Sequence, residues 1–230
     1  MLNESHADVL GLDSSTNVEK LSLSDCRLLT AGRVINFLPQ RSSLKKVKLR
    51  DTPLNRDHCV ALSAGLRHTT TLESLELVRC FDQSTIEHAS ILASAIGDSK
   101  SLRTFFFMMR GINCPPVFWR NLANGLKSNN SLNTLDLSVE CFEEDGVGDF
   151  ASVIRDHTSL TVFDLWHSEF SAAAMAPILC SLSGNATIKE INLDYCLGSE
   201  NVGDLLPLLR GNTCCTKLRL HFFGFLTRTI

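Results

Sequence analysis

The chain has 230 residues, 44% of them hydrophobic and 20% charged, the balance of a folded globular protein and not of a disordered one. A formal net charge of −3 supplies no basic field for nucleic acid. The amino-terminal MLNESHADVLGLDSS has no basic start, so it does not read as a secretion signal; the longest apolar cluster, FFFMM at 105–109, is far too short to cross a bilayer. Nine cysteines, spread along the chain with no CxxC pair, then read as reduced thiols of a cytoplasmic or nuclear protein.

Residues 1–17 form a short lead or partial cap. From Val18 onward the chain repeats itself. Val18, Leu21, Leu23, Cys26 and Leu28 fit the template L-x-x-L-x-L-x-x-(N/C)-x-L, as do Leu44, Val47, Leu49 and Leu54. Leu72, Leu75, Leu77 and Cys80 come next, then Leu102, Phe105, Phe107 and Ile112, then Leu132, Leu135, Leu137 and Phe142. Leu160, Phe163, Leu165 and Phe170 follow, then Ile188, Ile191, Leu193 and Cys196. The last copy is Cys215, Leu218, Leu220, Phe223 and Phe225. Starts at 18, 44, 72, 102, 132, 160, 188 and 215 give spacings of 26, 28, 30, 30, 28, 28 and 27 residues. About eight repeats thus fill residues 18–230 as one domain.

Each template alternates with period two, as a strand does, and a helical pattern follows it. Ile91, Leu92, Ala95 and Ile96 share a helical face; so do Phe118, Leu122 and Leu126. Met175, Ile178, Leu179 and Leu182 form another, and Val202, Leu205, Leu206 and Leu209 a fourth. Pro115–Pro116 suits a helix start, where a missing amide donor costs little. Strands stack about 4.8 Å apart, whereas helices are about 10 Å wide. An α/β coil of this kind must curve, with parallel strands on its concave face and helices on its convex face.

These residues resemble the leucine-rich repeats of the ribonuclease-inhibitor type, most clearly in LANGLKSNNSLNTLDLS at 122–138. The resemblance implies a horseshoe-shaped solenoid and a role in protein–protein recognition. Thr52, Arg110, Glu140, Ser168 and Phe223 depart from the Asn or Cys of the ninth position, so less regular loops are expected there. A compact doubly wound sheet would need longer and less uniform units.

The acidic stretch Glu143–Phe150 opens a helix of its repeat. Capping of unpaired amides is the reading favoured over metal binding, because the D-x-[DN]-x-[DN]-G spacing is absent. Cys26, Cys80, Cys196, Cys59 and Cys180 read as buried packing residues, and Cys114 and Cys141 as loop residues open to solvent. His58, His68, His88 and His157 read as helix-surface or loop residues. Cys141 and His167 lack an oxyanion hole or an orienting third group. No enzyme activity, cofactor or metal is expected.

Template positions 3, 5, 7 and 8 should face the inner surface. They carry Phe106, Met108 and Met109 in the fourth repeat, and Thr134, Asp136, Ser138 and Val139 in the fifth. The sixth and seventh carry Val162, Asp164, Trp166 and His167, and Glu190, Asn192, Asp194 and Tyr195. Phe106, Met108, Trp166 and Tyr195 are candidate anchors for a partner, and Asp136, Asp164 and Asn192 a stacked column for a basic segment. Lys45, Lys46, Lys48 and Arg50 read as a soluble strand face. The expected function is a non-enzymatic scaffold that binds another protein on its concave face, without nucleic acid or membrane. Alternatives are activation of a small GTPase, as Ran GTPase-activating proteins are built from similar repeats, and a fragment of a larger leucine-rich repeat receptor or regulator. The chain reaches FFGFLTRTI directly after a repeat strand, so no C-terminal cap is expected. Self-association through residues 215–226 follows from that bare edge.

Overall fold

A computed structural model of the chain describes residues 17–26, 43–141, 146–168 and 170–222. Residues 1–16 of the expected lead at 1–17, the acids Glu143–Asp145 and the end of the chain from Phe223 lie outside the described residues. Eight strands run in chain order through one parallel sheet: β1 Lys20–Ser24, β2 Lys46–Arg50, β3 Ser74–Val78, β4 Thr104–Asn113, β5 Thr134–Cys141, β6 Val162–Asp164, β7 Glu190–Asn192 and β8 Lys217–Arg219. Six helices are described between them: α1 Arg56–His68, α2 Ala89–Ile96, α3 Pro116–Ser128, α4 Val147–Asp156, α5 Ala172–Gly184 and α6 Leu206–Gly211.

The repeat template and the strand register coincide. Leu21, Val47, Leu75, Phe105, Leu135, Phe163, Ile191 and Leu218 lie in one row across all eight strands. From Val47 to Ile191 every member is at most 1% exposed. A one-residue slip would turn this row to solvent, so burial alone fixes the register. The carbonyl of the second template residue accepts two amides of the next repeat, as from Thr161 and Val162 to Asn133 at 2.9 and 3.1 Å. The same fork joins every neighbouring pair from Glu19 to Lys189. No helix among the described residues is long and apolar enough to cross a membrane.

Behind the sheet the expected helical faces are buried, including Leu92, Phe118, Leu122, Leu126, Met175, Ile178 and Leu182. Asn55 and His58 form a capping box on α1, and α3 begins at Pro116 as its proline pair predicts. The fourth face is different. Of Val202, Leu205, Leu206 and Leu209, only Leu205 is buried, and Leu208 joins it. Residues Ser199–Leu205 form a 3₁₀ turn, whose three-residue period shifts the phase of the helix that follows.

After the strands the chain turns through a left-handed residue at template position 8: Asp25, Asp51, Arg79, His167 and Tyr195 have φ between 47° and 59°. The ninth side chain then binds the turn's backbone. Cys80 Sγ donates to the Leu49 carbonyl at 3.3 Å, and Cys196 Sγ to that of Leu165 at 2.8 Å. Thr52 and Ser168 were expected to spoil their loops but do the same work. Thr52 Oγ1 donates to the Arg50 carbonyl at 2.9 Å; Ser168 Oγ donates to that of Leu137 at 2.9 Å and accepts from Val139 N at 3.0 Å. A hydroxyl replaces the thiol because both are short donors.

The irregular repeats are the fourth and fifth, where Arg110 and Glu140 stand at position 9. There the strand runs on instead of turning. β4 spans 10 residues and β5 spans 8, with a register shift between Met109 and Asn113. Met109 and Val139, expected on the inner surface, are fully buried, as are Val78 and Ser138 to within 4%. Cys114 is buried rather than exposed, and Cys180 is exposed rather than buried. His58 and His157 are buried as well, because each holds a backbone turn. The side chain of Cys141 lies outside the described residues. Burial pushes the thiols of Cys59, Cys114 and Cys196 up to about 12 and that of Cys80 to about 11. Such thiols are packing groups, not nucleophiles.

Candidate functional site

The inner face of the sheet is built by the fifth template position, one strand residue beyond the buried row. Side chains alternate across a strand, so Ser22, Lys48, Glu76, Phe106, Asp136, Asp164, Asn192 and Arg219 form the facing row. Phe106, Asp136, Asp164 and Asn192 are therefore consecutive neighbours, as the repeat spacing predicts. All four are half-buried. Met108 is also half-buried and lies beside Val78 and Ser138 in the register.

Charges at the amino-terminal side of this face are compensated. Lys45 pairs with Glu19 at 2.8 Å, Lys48 with Glu76 at 2.5 Å, and Arg79 with Asp51 through two bonds of 2.6 Å. The Arg79 hydrogen bonds hold the Asp51 carboxyl below the usual carboxylate range. Lys45 and Lys48 of the basic group are thus neutralised within the chain. Lys217 and Glu190 pair at 2.7 Å at the other end.

At the centre neither Asp136 nor Asp164 forms an ion pair among the described residues. Asp164 accepts Asn192 Nδ2 at 2.9 Å and Trp166 N at 2.8 Å, both neutral donors. Burial raises its pKa, and those bonds with the nearby Arg219 only partly oppose the rise. Asp136 stands between Asp164 and the Phe106 ring. Burial first, then the Asp164 and Glu76 carboxylates, push it up to about 8. Asp136 therefore carries a proton at neutral pH, and a cation placed here would let it ionise.

The expected aromatic band divides in two. Phe106 belongs to the acidic row. Trp166 and Tyr195 lie at the strand ends in a ladder that the anchors chosen from sequence only partly captured. The Arg110 guanidinium lies 5.7 Å from the Trp166 ring centre. Trp166 meets His167 at 5.6 Å, His167 meets Tyr195 at 5.9 Å, and Tyr195 stacks on His221 at 5.7 Å and 15°. Tyr195 is 38% exposed. His167 and Tyr195 share template position 8 of successive repeats, whereas His221 stands one position earlier in the last repeat, so the period alone links only the first two. Asp194, expected on the surface, is only 8% exposed and accepts His221 N at 2.9 Å and its Nδ1 at 2.8 Å. Among the described residues no three His, Cys, Asp or Glu side chains are grouped as a metal site.

Fold and face together define a leucine-rich repeat solenoid of the ribonuclease-inhibitor-like type. No family model matches the chain. Over 214 residues, 90% of its length, it is 27% identical to the NACHT, LRR and PYD domains-containing protein 14 of Mus musculus. Over 218 residues, 91% of its length, it is 28% identical to the Ribonuclease inhibitor of Mus musculus. The chain spans 21% of the first of these proteins and 47% of the second.

Proposed function

We propose that the chain is a non-enzymatic interaction scaffold that captures another protein on the inner face of its sheet. The observation that carries this reading is the contrast in charge compensation along the face. Within the row Glu76 forms an ion pair with Lys48, whereas Asp164 hydrogen-bonds only the neutral donors Asn192 Nδ2 and Trp166 N, with Arg219 nearby but not paired to it. A lysine or arginine side chain of a partner would satisfy both carboxylates, with Phe106 and Trp166 as flanking apolar anchors. The stacked sheet is already ordered, so association loses little conformational entropy. A protein named for inhibiting ribonuclease is among the relatives, which supports binding as the common use of this fold.

Affinity capture from cell extract tests the reading, with wild-type chain beside Phe106→Ala, Trp166→Ala and Asp136→Asn. Truncating an anchor costs about 2 kcal/mol, or about thirtyfold in affinity. The recovered proteins should be depleted in all three variants. An unchanged set of recovered proteins places the binding surface elsewhere.

A further inference from the structure

The turn from each helix into the next strand is held by the residue three places before the first template leucine. After α3, α5 and α6 that residue is Asn129, Asn185 and Asn212. Each amide oxygen accepts the backbone N–H groups two and three residues ahead, at 2.7–3.0 Å. Each NH₂ donates backward to the end of the preceding helix: Asn129 to Ile96 O at 2.6 Å, Asn185 to Ile154 O at 2.8 Å and Asn212 to Leu182 O at 2.6 Å. The asparagine is thus both a turn clamp and a tie between successive helices.

After α4 the position is His157. Its Nδ1 accepts from Ser159 N at 3.3 Å and Leu160 N at 3.2 Å. Both partners are donors, so Nδ1 must be bare and the ring proton must sit on Nε2. Nε2 is buried with no acceptor on the protein, in a residue 6% exposed. The imidazole reproduces the clamp without the tie. At this same seam, between the ends of α3 and α4, lies a cavity of about 150 Å³. Leu126, Lys127 and Asn129 line it on one side, and Asp156, His157 and Thr158 on the other.

We propose that the α3–α4 seam is an acid-sensitive hinge of the solenoid, in which neutral His157 holds the turn into β6 and protonated His157 releases it. A proton on Nδ1 removes the acceptor of the Ser159 and Leu160 amides at once. Lys127 and Asp156, the charged side chains on the cavity, are opposite in sign and neither bonds the ring. From the α5 side Asn185 and Thr187 approach, both neutral and both bonded to the His157 carbonyl. Burial holds His157 below its usual pKa of 6.5. The unfolded turn therefore takes up the proton first, and stability present above about pH 6.5 is lost as pH falls below it. The asparagine seams do not titrate.

Hydrogen exchange on the whole chain tests this, with intrinsic rates corrected. From pH 6.5 to 5.5 the Ser159 and Leu160 amides should lose about fivefold in protection, the effect of one linked proton on a turn that titrates near 6.5 when open. The corresponding amides after Asn129 and Asn185 should hold. His157→Asn installs the side chain of the sister turns and should abolish the loss. His58→Gln, which alters the other buried ring accepting a backbone amide, should leave it intact. Imidazole ¹⁵N shifts of the wild type give an independent readout: the Nε2–H tautomer, without titration at pH 6.5. Protection unchanged at pH 5.5, a loss that persists in His157→Asn, or a ring that titrates at or above 6.5 in the folded chain overturns the hinge.

Discussion

Strands β1–β3 and β4–β6 solve one packing problem with opposite surface chemistry. In both, the template leucine positions bury a row behind the sheet. The first three strands have five residues each, their core side chains are Leu and Val, and across their face Lys48 pairs with Glu76 while Arg79 pairs with Asp51 in the turns beyond. Of the central strands β4 and β5 lengthen while β6 keeps only three residues, and the core behind them turns aromatic. Phe107, Phe118, Trp119, Phe150 and Phe163 are linked by ring contacts of 4.9–6.2 Å, while their facing acids stay unpaired. A repeat constrains the side chain that faces inward and leaves its neighbour free, so function can vary along a fixed frame.

The largest test of this contrast is in the core. Trp119→Ala should cost about 3–5 kcal/mol, because the surrounding rings cannot collapse onto the vacated volume. Leu49→Ala in the regular region should cost no more than that. Urea unfolding compares the two, and a larger loss at Leu49 removes the special demand placed on the central repeats.

The next effect concerns charge. Asp136 has a folded pKa of about 8 against an unfolded value of about 3.9. The native state thus binds the extra proton between those values, and stability falls as pH rises through that window. Asp136→Asn should stabilise the chain at pH 9 by on the order of 2 kcal/mol and flatten this part of the profile. An equal slope in the variant shows that the central acid is solvated like the others. The smallest effect is expected at the compensated end. Asp51→Asn, which keeps a side chain that tolerates the left-handed turn, should leave the unfolding midpoint nearly unchanged, and high salt should erase any difference, because the pair with Arg79 is exposed. A clear loss there makes the amino-terminal pairs structural rather than superficial.

Much of this was legible from residues alone. The spacing of Leu21 through Leu218 named every strand and its register, and the row Phe106–Asp136–Asp164–Asn192 followed from it. The turns were harder. Ser168 and Thr52 looked like departures, yet a hydroxyl serves the turn as a thiol does. Met109 and Val139 looked exposed, because the template assumes a turn that these two repeats replace with strand. The exposed faces of Val202, Leu206 and Leu209 escaped a 3.6-residue count because the segment begins as a 3₁₀ turn. His157 looked like a loop residue; only its place among Asn129, Asn185 and Asn212 makes it a clamp.

The period of the sequence, by itself, determined the solenoid, the order of its strands and which side chains meet across them. That is a consequence of burial, since a repeated apolar pattern admits one register. Only the tertiary structure decided which of the facing groups are compensated, how far each is withdrawn from water and where a tie between helices is missing. Those depend on distances between residues about 28 positions apart, and on the desolvation that their packing imposes.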